Sequence, residues 1–274
     1  MLNFDVSLPK VLAYEGGFTK DSHDPGNWTG GKVGVGKLKG TNRGISAAAY
    51  PNLDIANLTA ADVAPLYRHD YWDAVAANLL PAGVDHATFD GAVNSGVSRS
   101  SKWLQKAVKV STDGKVGGKT IAAAVSFQAG AAALVRAVCS QRTSFLHGLS
   151  NWVRYGKGWA ARVADVEAFG VKLALAAAGA SPAAIKVDAE QQSAVAKTSA
   201  TRHTAGAGVT ATAGVADGSQ VDVSNVDAGQ ADQLVNLILG GVLIGAVVLV
   251  AWFVWRAHVQ RQRAAAYAAS AKGT

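Results

Sequence analysis

Two carboxylates near the N-terminus are the residues whose type and spacing best suit acid–base chemistry. Glu15 follows the apolar residues 11–14 and precedes two glycines, and Asp24 precedes Pro25 and Gly26. Hydrolysis of a glycosidic bond needs a carboxylic acid to protonate the leaving oxygen, and a second carboxylate or a held water opposite it. Apolar surroundings keep such an acid protonated near neutral pH. On spacing alone, however, Glu15 is more typical of a solvated helix end and Asp24 of a turn.

The elements that must position these carboxylates are mainly helical. Ser7 predicts the cap of a first helix, which ends at Gly16 and so places Glu15 at a helix end. Residues 20–40 are rich in glycine and predict a loop or hairpin. Further helical patterns occur at residues 66–72, 84–94, 98–108, 120–125, 131–146 and 159–169.

Short sequence blocks follow one another in a fixed order along the first two thirds of the chain. They are YEGGF at 14–18, HDPG at 23–26, TNRGIS at 41–46, YRHDYWD at 67–73, LPAGVD at 80–85, FDGAVNSG at 89–96 and KWLQ at 102–105. Together they resemble the muramidases of glycoside hydrolase family 108, which include phage endolysins and bacterial secretion-activator proteins. The resemblance covers residues 5–172, and residues 113–162 resemble the peptidoglycan-binding segment that closes such proteins.

The resemblance implies three catalytic residues. Glu15, in the Glu-Gly-Gly motif, is the expected catalytic acid, and Asp24 is the candidate second carboxylate. Ser46 stands where the family more often has threonine, and its hydroxyl is expected to hold a water. Capping of the following helix is an equally good role for Ser46.

Four further residues are candidates for substrate binding. Trp28 can stack on a sugar ring or anchor its own loop. Asn42 belongs to the TNRGIS block. Asp90 and Asn94 share one face of their helix and can bond to sugar groups, although a role in stabilising the helix is slightly favoured. The chain also departs from the family pattern at residues 28–40, where a longer hairpin is expected to change the depth of the cleft and leaves inversion or retention open.

Neither a cofactor nor a metal is expected. The only cysteine, Cys139, excludes a metal site built on thiolates. The histidines show no spacing typical of zinc ligands.

The C-terminal region has a different composition. No aromatic residue occurs between Phe169 and Trp252, so residues 177–233 are predicted to form a flexible linker. Residues 237–255 carry no charge, which predicts a transmembrane helix. Arginines after this span place the C-terminus in the cytoplasm and the catalytic domain in the periplasm. The opposite topology, with the domain in the cytoplasm until the membrane is opened, stays open.

The predicted fold class is therefore a mainly α, lysozyme-like domain with a small β-hairpin, a flexible linker and one C-terminal transmembrane helix. The predicted domains are a lysozyme-like catalytic region (1–110), a helical peptidoglycan-binding segment (111–176), the linker (177–233), the transmembrane helix (234–256) and a basic cytoplasmic tail (257–274). This arrangement predicts a single-pass inner-membrane protein.

The resemblance implies a peptidoglycan hydrolase, an N-acetylmuramidase that cuts the MurNAc–GlcNAc β-1,4 bond for cell lysis or local wall opening. The alternative is a non-catalytic, membrane-anchored protein that binds peptidoglycan. Expected partners are the glycan strands, the membrane, and a holin or export factor. The net charge of +7 favours an anionic partner, but nucleic acid is not expected because the sequence shows no nucleic-acid-binding signature.

Overall fold

The structure is a computed structural model that describes residues 3–216 and 228–273, with the backbone alone described for 208–216 and 228–247. The described chain is mainly helical and contains one two-stranded antiparallel sheet. The strands are β1 (Thr41–Asn42) and β2 (Ile45–Ser46). The helices are α1 (Phe4–Leu12), α2 (Ala60–Tyr67), α3 (Val84–Ser95), α4 (Val97–Ala107), α5 (Gly118–Val125), α6 (Gly130–His147), α7 (Trp152–Ala177), α8 (Pro182–Ala216) and α9 (Ala228–Lys272).

The chain divides into two compact units. The first comprises Met1–Val153 with Phe169–Ser181, and the second comprises Arg154–Ala168 with Pro182–Thr274. Helix α7 contributes residues to both. The mainly helical first unit with its small hairpin fits a lysozyme-like fold, and this part of the predicted fold class agrees with the structure.

An aromatic cluster forms the centre of the first unit. The rings of Phe4 and Phe89 each meet Trp72 nearly edge-on, with centroids 5.4 and 5.3 Å apart. The indole nitrogen of Trp72 donates a hydrogen bond to Asn78 Oδ1 at 2.6 Å, so its polar atom is satisfied inside the core. Since Phe4 begins α1, this cluster fixes the helix whose far end leads to Glu15.

Helix α2 begins with a complete capping box. Thr59 N donates to Asp62 Oδ2 at 2.8 Å, and Asp62 N donates to Thr59 Oγ1 at 3.3 Å. The helix ends at Tyr67, and one wider π-helical turn at Arg68–Asp73 carries Trp72 into the core.

The second unit is built from α8, α9 and the Arg154–Ala168 part of α7. Ser193 Oγ of α8 donates to the carbonyl oxygen of Ala264 at 2.9 Å. The buried carboxylate of Glu167 accepts hydrogen bonds from Arg263 Nη2 at 2.6 Å and from Tyr267 Oη at 3.0 Å. A buried carboxylate with two such donors holds the helices together without leaving an unpaired charge.

The predicted linker at 177–233 is corrected by the structure over most of its length. Residues 182–216 form α8 instead of a flexible chain. The physical reason is that alanine has the highest helix propensity, so a segment without large side chains can still be helical. Buried alanines at 189, 196 and 200 then allow close packing within the second unit. Residues 217–227 of the predicted linker lie outside the described residues.

The predicted transmembrane helix at 234–256 is contradicted. Within residues 3–216 and 228–273, no helix combines enough length with enough apolar character to cross a bilayer. The side chains of residues 234–247 lie outside those described.

Three further expectations depended on that span and lose their basis with it. They are the single-pass inner-membrane localisation with its two topologies, the membrane as a partner, and the holin or export factor. The basic tail at 257–274 is also not a separate element, because residues 257–272 continue α9.

Asp85 makes the first unit sensitive to pH. It is buried at the start of α3, where its Oδ1 accepts hydrogen bonds from the backbone N–H groups of Gly83 and His86, and its Oδ2 accepts one from Asn3. Burial raises its pKa to about 6, although these hydrogen bonds act in the opposite direction. In the unfolded chain an aspartate titrates near pH 3.9, so the contribution of Asp85 to stability is complete below about pH 4 and is lost as the pH rises through about 6.

We expect Asp85→Asn to remove most of this dependence, since the amide keeps an acceptor for the backbone but cannot ionise. The free energy of unfolding, measured with urea between pH 4 and 7, should fall by on the order of 2 to 3 kcal/mol in the parent chain and much less in the variant. The exposed Asp73→Asn serves as the control and should behave as the parent does. Parallel pH profiles for the parent and Asp85→Asn would contradict this role.

Candidate active site

Glu15 lies where α1 passes into the β-hairpin. Its backbone N–H still donates to the carbonyl oxygen of Leu12 at 3.2 Å, so the residue closes the last turn of the helix. Gly16 then adopts a positive φ of 65°, which redirects the chain. Thr19 and Thr41 exchange two backbone hydrogen bonds of 2.8 and 2.9 Å, which pair the outgoing chain with β1. Glu15, half-buried, is therefore positioned by a helix on one side and a hairpin on the other.

The hairpin turn lies close to Glu15. Strands β1 and β2 pair with Thr41 opposite Ser46 and Asn42 opposite Ile45, which leaves Arg43 and Gly44 as a two-residue turn. Both turn residues have positive φ values, 50° and 74°, as a tight hairpin of this kind requires. A Cβ atom on Gly44 would lie 3.3 Å from Glu15 Oε2 and would clash with the hydroxyl of Tyr67. Only glycine allows the backbone to approach both groups.

Tyr67 holds the turn by a hydrogen bond from the protein interior. Its side chain is buried at the end of α2, and its hydroxyl donates a hydrogen bond of 2.8 Å to the carbonyl oxygen of Arg43. Arg43 Nε donates in turn to the carbonyl oxygen of Leu58 at 3.2 Å. The left-handed conformation of Arg43 is therefore held by bonds at both its backbone and its side chain.

A second tyrosine lies within electrostatic range of Glu15. Tyr71 packs beside Tyr67, with ring centroids 5.5 Å apart. Burial raises the pKa of Tyr71 first, and the negative charges of Asp70 and Glu15 raise it further. Tyr71 thus keeps its proton at neutral pH and can act as a hydrogen-bond donor beside the carboxylate.

Asp70 is held as an anion beside these tyrosines. Its carboxylate accepts a short hydrogen bond from the hydroxyl of Tyr50 and lies 2.7 Å from His69 Nδ1. Burial alone would raise the pKa of Asp70, but the bonds from Tyr50 and His69 outweigh burial and lower it. Sequence reasoning missed Tyr50, Tyr67, Asp70 and Tyr71 as parts of the site. The i, i+4 spacing of Tyr67 and Tyr71 within YRHDYWD could have indicated that these two rings share one face of a helix.

Asp24 and Trp28 occupy the long loop before β1. Asp24 is exposed, and its Oδ1 accepts a hydrogen bond from Gly26 N at 2.8 Å, so it caps the short turn Pro25–Asn27. The indole nitrogen of Trp28 donates to the carbonyl oxygen of Ser22 at 2.9 Å, which anchors the loop. Buried Asn27 joins the same loop to β1, because its Oδ1 accepts a 2.7 Å bond from Thr41 Oγ1.

Asn42 and Ser46 lie on the two strands of the hairpin. Buried Asn42 donates from Nδ2 to the carbonyl oxygens of Ile55 and Ala56 at 3.0 and 3.2 Å, which ties β1 to the following segment. Ser46 Oγ accepts a bond of 3.3 Å from Ala49 N, which closes a turn after β2; no described helix begins there, so the expected helix cap is not seen. These observed bonds describe structural roles for both residues.

Asp90 and Asn94 form part of an ion-pair network away from the hairpin. Buried Asp90 accepts a 2.6 Å bond from Arg142 Nη1, and Asn94 Oδ1 accepts a 3.0 Å bond from Arg142 Nη2. Arg142 is itself buried on α6, so Asp90 supplies the opposite charge that a buried guanidinium requires. The sequence could not identify this partner, which lies 52 positions away.

The structure therefore gathers Glu15, Asn42 and Ser46 at the hairpin, with the loop of Asp24 and Trp28 joined to it through Asn27. Asp90 and Asn94 are instead bonded to Arg142, away from the hairpin. In the part of the chain that the structure describes, no group of three or more His, Cys, Asp or Glu side chains could hold a metal ion.

We expect Gly44→Ala to disable the site. The new methyl group would displace the hydroxyl of Tyr67 and press on Glu15, and alanine is strained at a φ of 74°. The clearing of purified cell walls, the activity that the resemblance implies, should fall at least about tenfold, with a loss of about 1 to 3 kcal/mol in unfolding free energy.

Gly118→Ala, on α5 away from the hairpin, is the matched control, because its Cβ would meet nothing within 4 Å and its φ is not positive. It should retain the parent's activity and stability. Full wall clearing by Gly44→Ala would show that the contact of the turn with Glu15 is not needed.

Comparison with known proteins agrees with the ordered sequence blocks. Residues 8–96 match the family model Glycosyl hydrolase 108, and residues 99–164 match the model described as "Predicted Peptidoglycan domain". No curated protein matches the chain at a significant level. Eight chains among the solved structures do match. One of them is SagA of Brucella abortus, with 36% sequence identity, a TM-score of 0.52, and coverage of 63% of this chain and 95% of that one. The chain therefore belongs to glycosyl hydrolase family 108, and it is a glycoside hydrolase that acts on peptidoglycan.

Proposed function

We propose that this hydrolase is an N-acetylmuramidase that cuts the β-1,4 bond between MurNAc and GlcNAc, with Glu15 as the general acid, for cell lysis or local wall opening. The observation that carries the proposal is the placement of Glu15. Its carboxylate lies against the glycine turn of the hairpin, and Tyr67 holds that turn. A general acid must be held within hydrogen-bond reach of the oxygen that it protonates. The nearby turn leaves the side chain of Glu15 less room to move.

In the proposed reaction, protonated Glu15 donates its proton to the glycosidic oxygen as the bond to the sugar carbon breaks. Positive charge then develops on the sugar ring, and a carboxylate on the opposite side stabilises it or activates a water. Asp24 is the proposed second carboxylate. Ser46 is proposed to hold the water, since its oxygen accepts one bond from Ala49 and its own proton can be donated.

Among the proposed substrate contacts, the observed bonds favour Trp28 over the others. Trp28 uses its indole nitrogen to anchor the loop, and its side chain is still partly exposed. The side chains of Asn42 and Asp90 are buried with partners of their own, and Asn94 is bonded to Arg142. For these three residues the structural role is the better supported one.

We expect Glu15→Gln to abolish wall clearing while leaving the fold intact, because the amide has nearly the same shape but no acidic proton. The rate of release of reducing ends from purified peptidoglycan should fall by about 10²- to 10⁴-fold. Thermal melting should be unchanged. Glu190→Gln, an exposed glutamate in the second unit, is the control and should act as the parent does.

Asp24→Asn tests whether the negative charge of Asp24 is needed for activity, separately from its role in the turn. Asparagine can still accept the bond from Gly26 N, so stability should be retained, while wall clearing should fall because the second negative charge is lost.

Normal clearing by Glu15→Gln would exclude the proposed acid. Wall binding by the parent chain without any new reducing ends would favour a non-catalytic wall-binding protein.

The products of the parent chain identify the bond that is cut. Mass spectrometry of digested peptidoglycan should find MurNAc at the new reducing end. GlcNAc at that end would show a glucosaminidase instead, and anhydro-MurNAc would show a lytic transglycosylase.

A further inference from the structure

Two large aromatic side chains on either side of Glu15 are exposed to solvent. Tyr14 is 40% exposed and Phe18 is 46% exposed. Phe18 has no polar atom to benefit from solvent, and burial of an aromatic side chain is favourable. An exposed phenylalanine three residues from the proposed acid is therefore a candidate for contact with a ligand.

The ring of Phe18 rests on a rigid piece of backbone. A Cβ atom on Gly40 would lie 2.7 Å from Phe18 Cε2 and 3.1 Å from Cζ, so the ring packs closely on the glycine. Gly40 N donates to the carbonyl oxygen of Asn27, and the carbonyl oxygen of Gly40 accepts from Ala47 N, both at 3.0 Å. Thr19, the next residue, is paired with Thr41. A ring supported in this way loses little conformational freedom when a ligand covers it.

Phe18 and Glu15 contact the same hairpin at two points. Phe18 packs at Gly40, just before β1, and Glu15 packs at Gly44, in the turn that follows β1. Four residues of extended strand cover at most about 13 Å. The two glycines beside which the ring and the acid lie are therefore no farther apart than a short stretch of a linear polysaccharide.

We propose that Phe18 is a stacking platform for a sugar ring of the glycan strand, at a subsite next to the bond that Glu15 breaks. This inference rests on the proposed function. The neutral, CH-rich face of an N-acetyl sugar packs well on a flat aromatic ring. A protein partner is a poorer fit, because the surface is one supported ring beside a carboxylate and not a broad apolar patch.

Binding can be measured without turnover in the Glu15→Gln chain. Isothermal titration with a soluble GlcNAc–MurNAc tetrasaccharide gives Kd for this chain and for the same chain with Phe18→Ala, Phe18→Leu, Phe18→Tyr or Phe18→Trp. We expect Phe18→Ala and Phe18→Leu to raise Kd about tenfold, and Phe18→Tyr and Phe18→Trp to keep it within about threefold, because only these retain a flat ring. Leu79→Ala, which removes another exposed apolar side chain of the first unit, is the control and should not change Kd.

A purely structural role for Phe18 predicts a different pattern. Thermal melting would then fall with Phe18→Ala, and Kd would follow the loss of folded protein. The proposal is overturned if Phe18→Ala, folded as judged by melting, binds as tightly as its parent, if leucine restores binding as well as tryptophan does, or if the Glu15→Gln chain does not bind the tetrasaccharide. Turnover by Glu15→Gln at the rate of the parent chain would contradict the proposed acid and leave the stacking result standing, so the two failures are distinguishable.

Discussion

The close approach of the hairpin backbone to Glu15 is the constraint on which the site depends. A carboxyl group at a helix end would ordinarily sample many positions in solvent. Here the turn at Gly44 limits that freedom, and it does so because Tyr67 holds the carbonyl oxygen of Arg43 from the protein interior. Arg43 is a non-glycine residue with positive φ, so its conformation is costly and must be maintained by the surrounding bonds. The aromatic core supplies this support, since it fixes both α1, which leads to Glu15, and the segment that carries Tyr67.

The polar residues of the first unit divide into two groups by their partners. Asn27, Asn42 and Asp90 are buried, and each has a hydrogen bond to a residue more than ten positions away in the chain. Removal of such a group leaves a buried partner without its bond, which costs stability. Glu15, Asp24 and Phe18 are instead at least partly accessible and lie on or beside the loop and hairpin after α1. Residues that bind and cut a polymer must be reached from outside, so accessibility is the property that separates the two groups.

The local features of this site could be predicted from the sequence, and its long-range contacts could not. The change of direction at Gly16 and the loop at residues 20–40 follow from glycines and a proline a few positions apart. The hairpin, however, was expected within residues 20–40, and its paired strands lie at Thr41–Ser46. The contact of Tyr67 with Arg43 and the pairing of Arg142 with Asp90 join residues 24 and 52 positions apart, and nothing local indicates them. For the C-terminal region, two expectations from the sequence were wrong. The absence of aromatic residues was interpreted as disorder in a segment whose alanines form a helix, and an apolar run was interpreted as a membrane span that the described helices do not support.

The most direct test of the central claim is a crystal structure of Glu15→Gln with a bound GlcNAc–MurNAc oligosaccharide. The proposed mechanism predicts that the side-chain amide at position 15 lies about 3 Å from a glycosidic oxygen, or reaches it through one water, with a sugar ring covering Phe18. An oligosaccharide bound in another groove, with the position-15 side chain out of reach of every glycosidic oxygen, would contradict it.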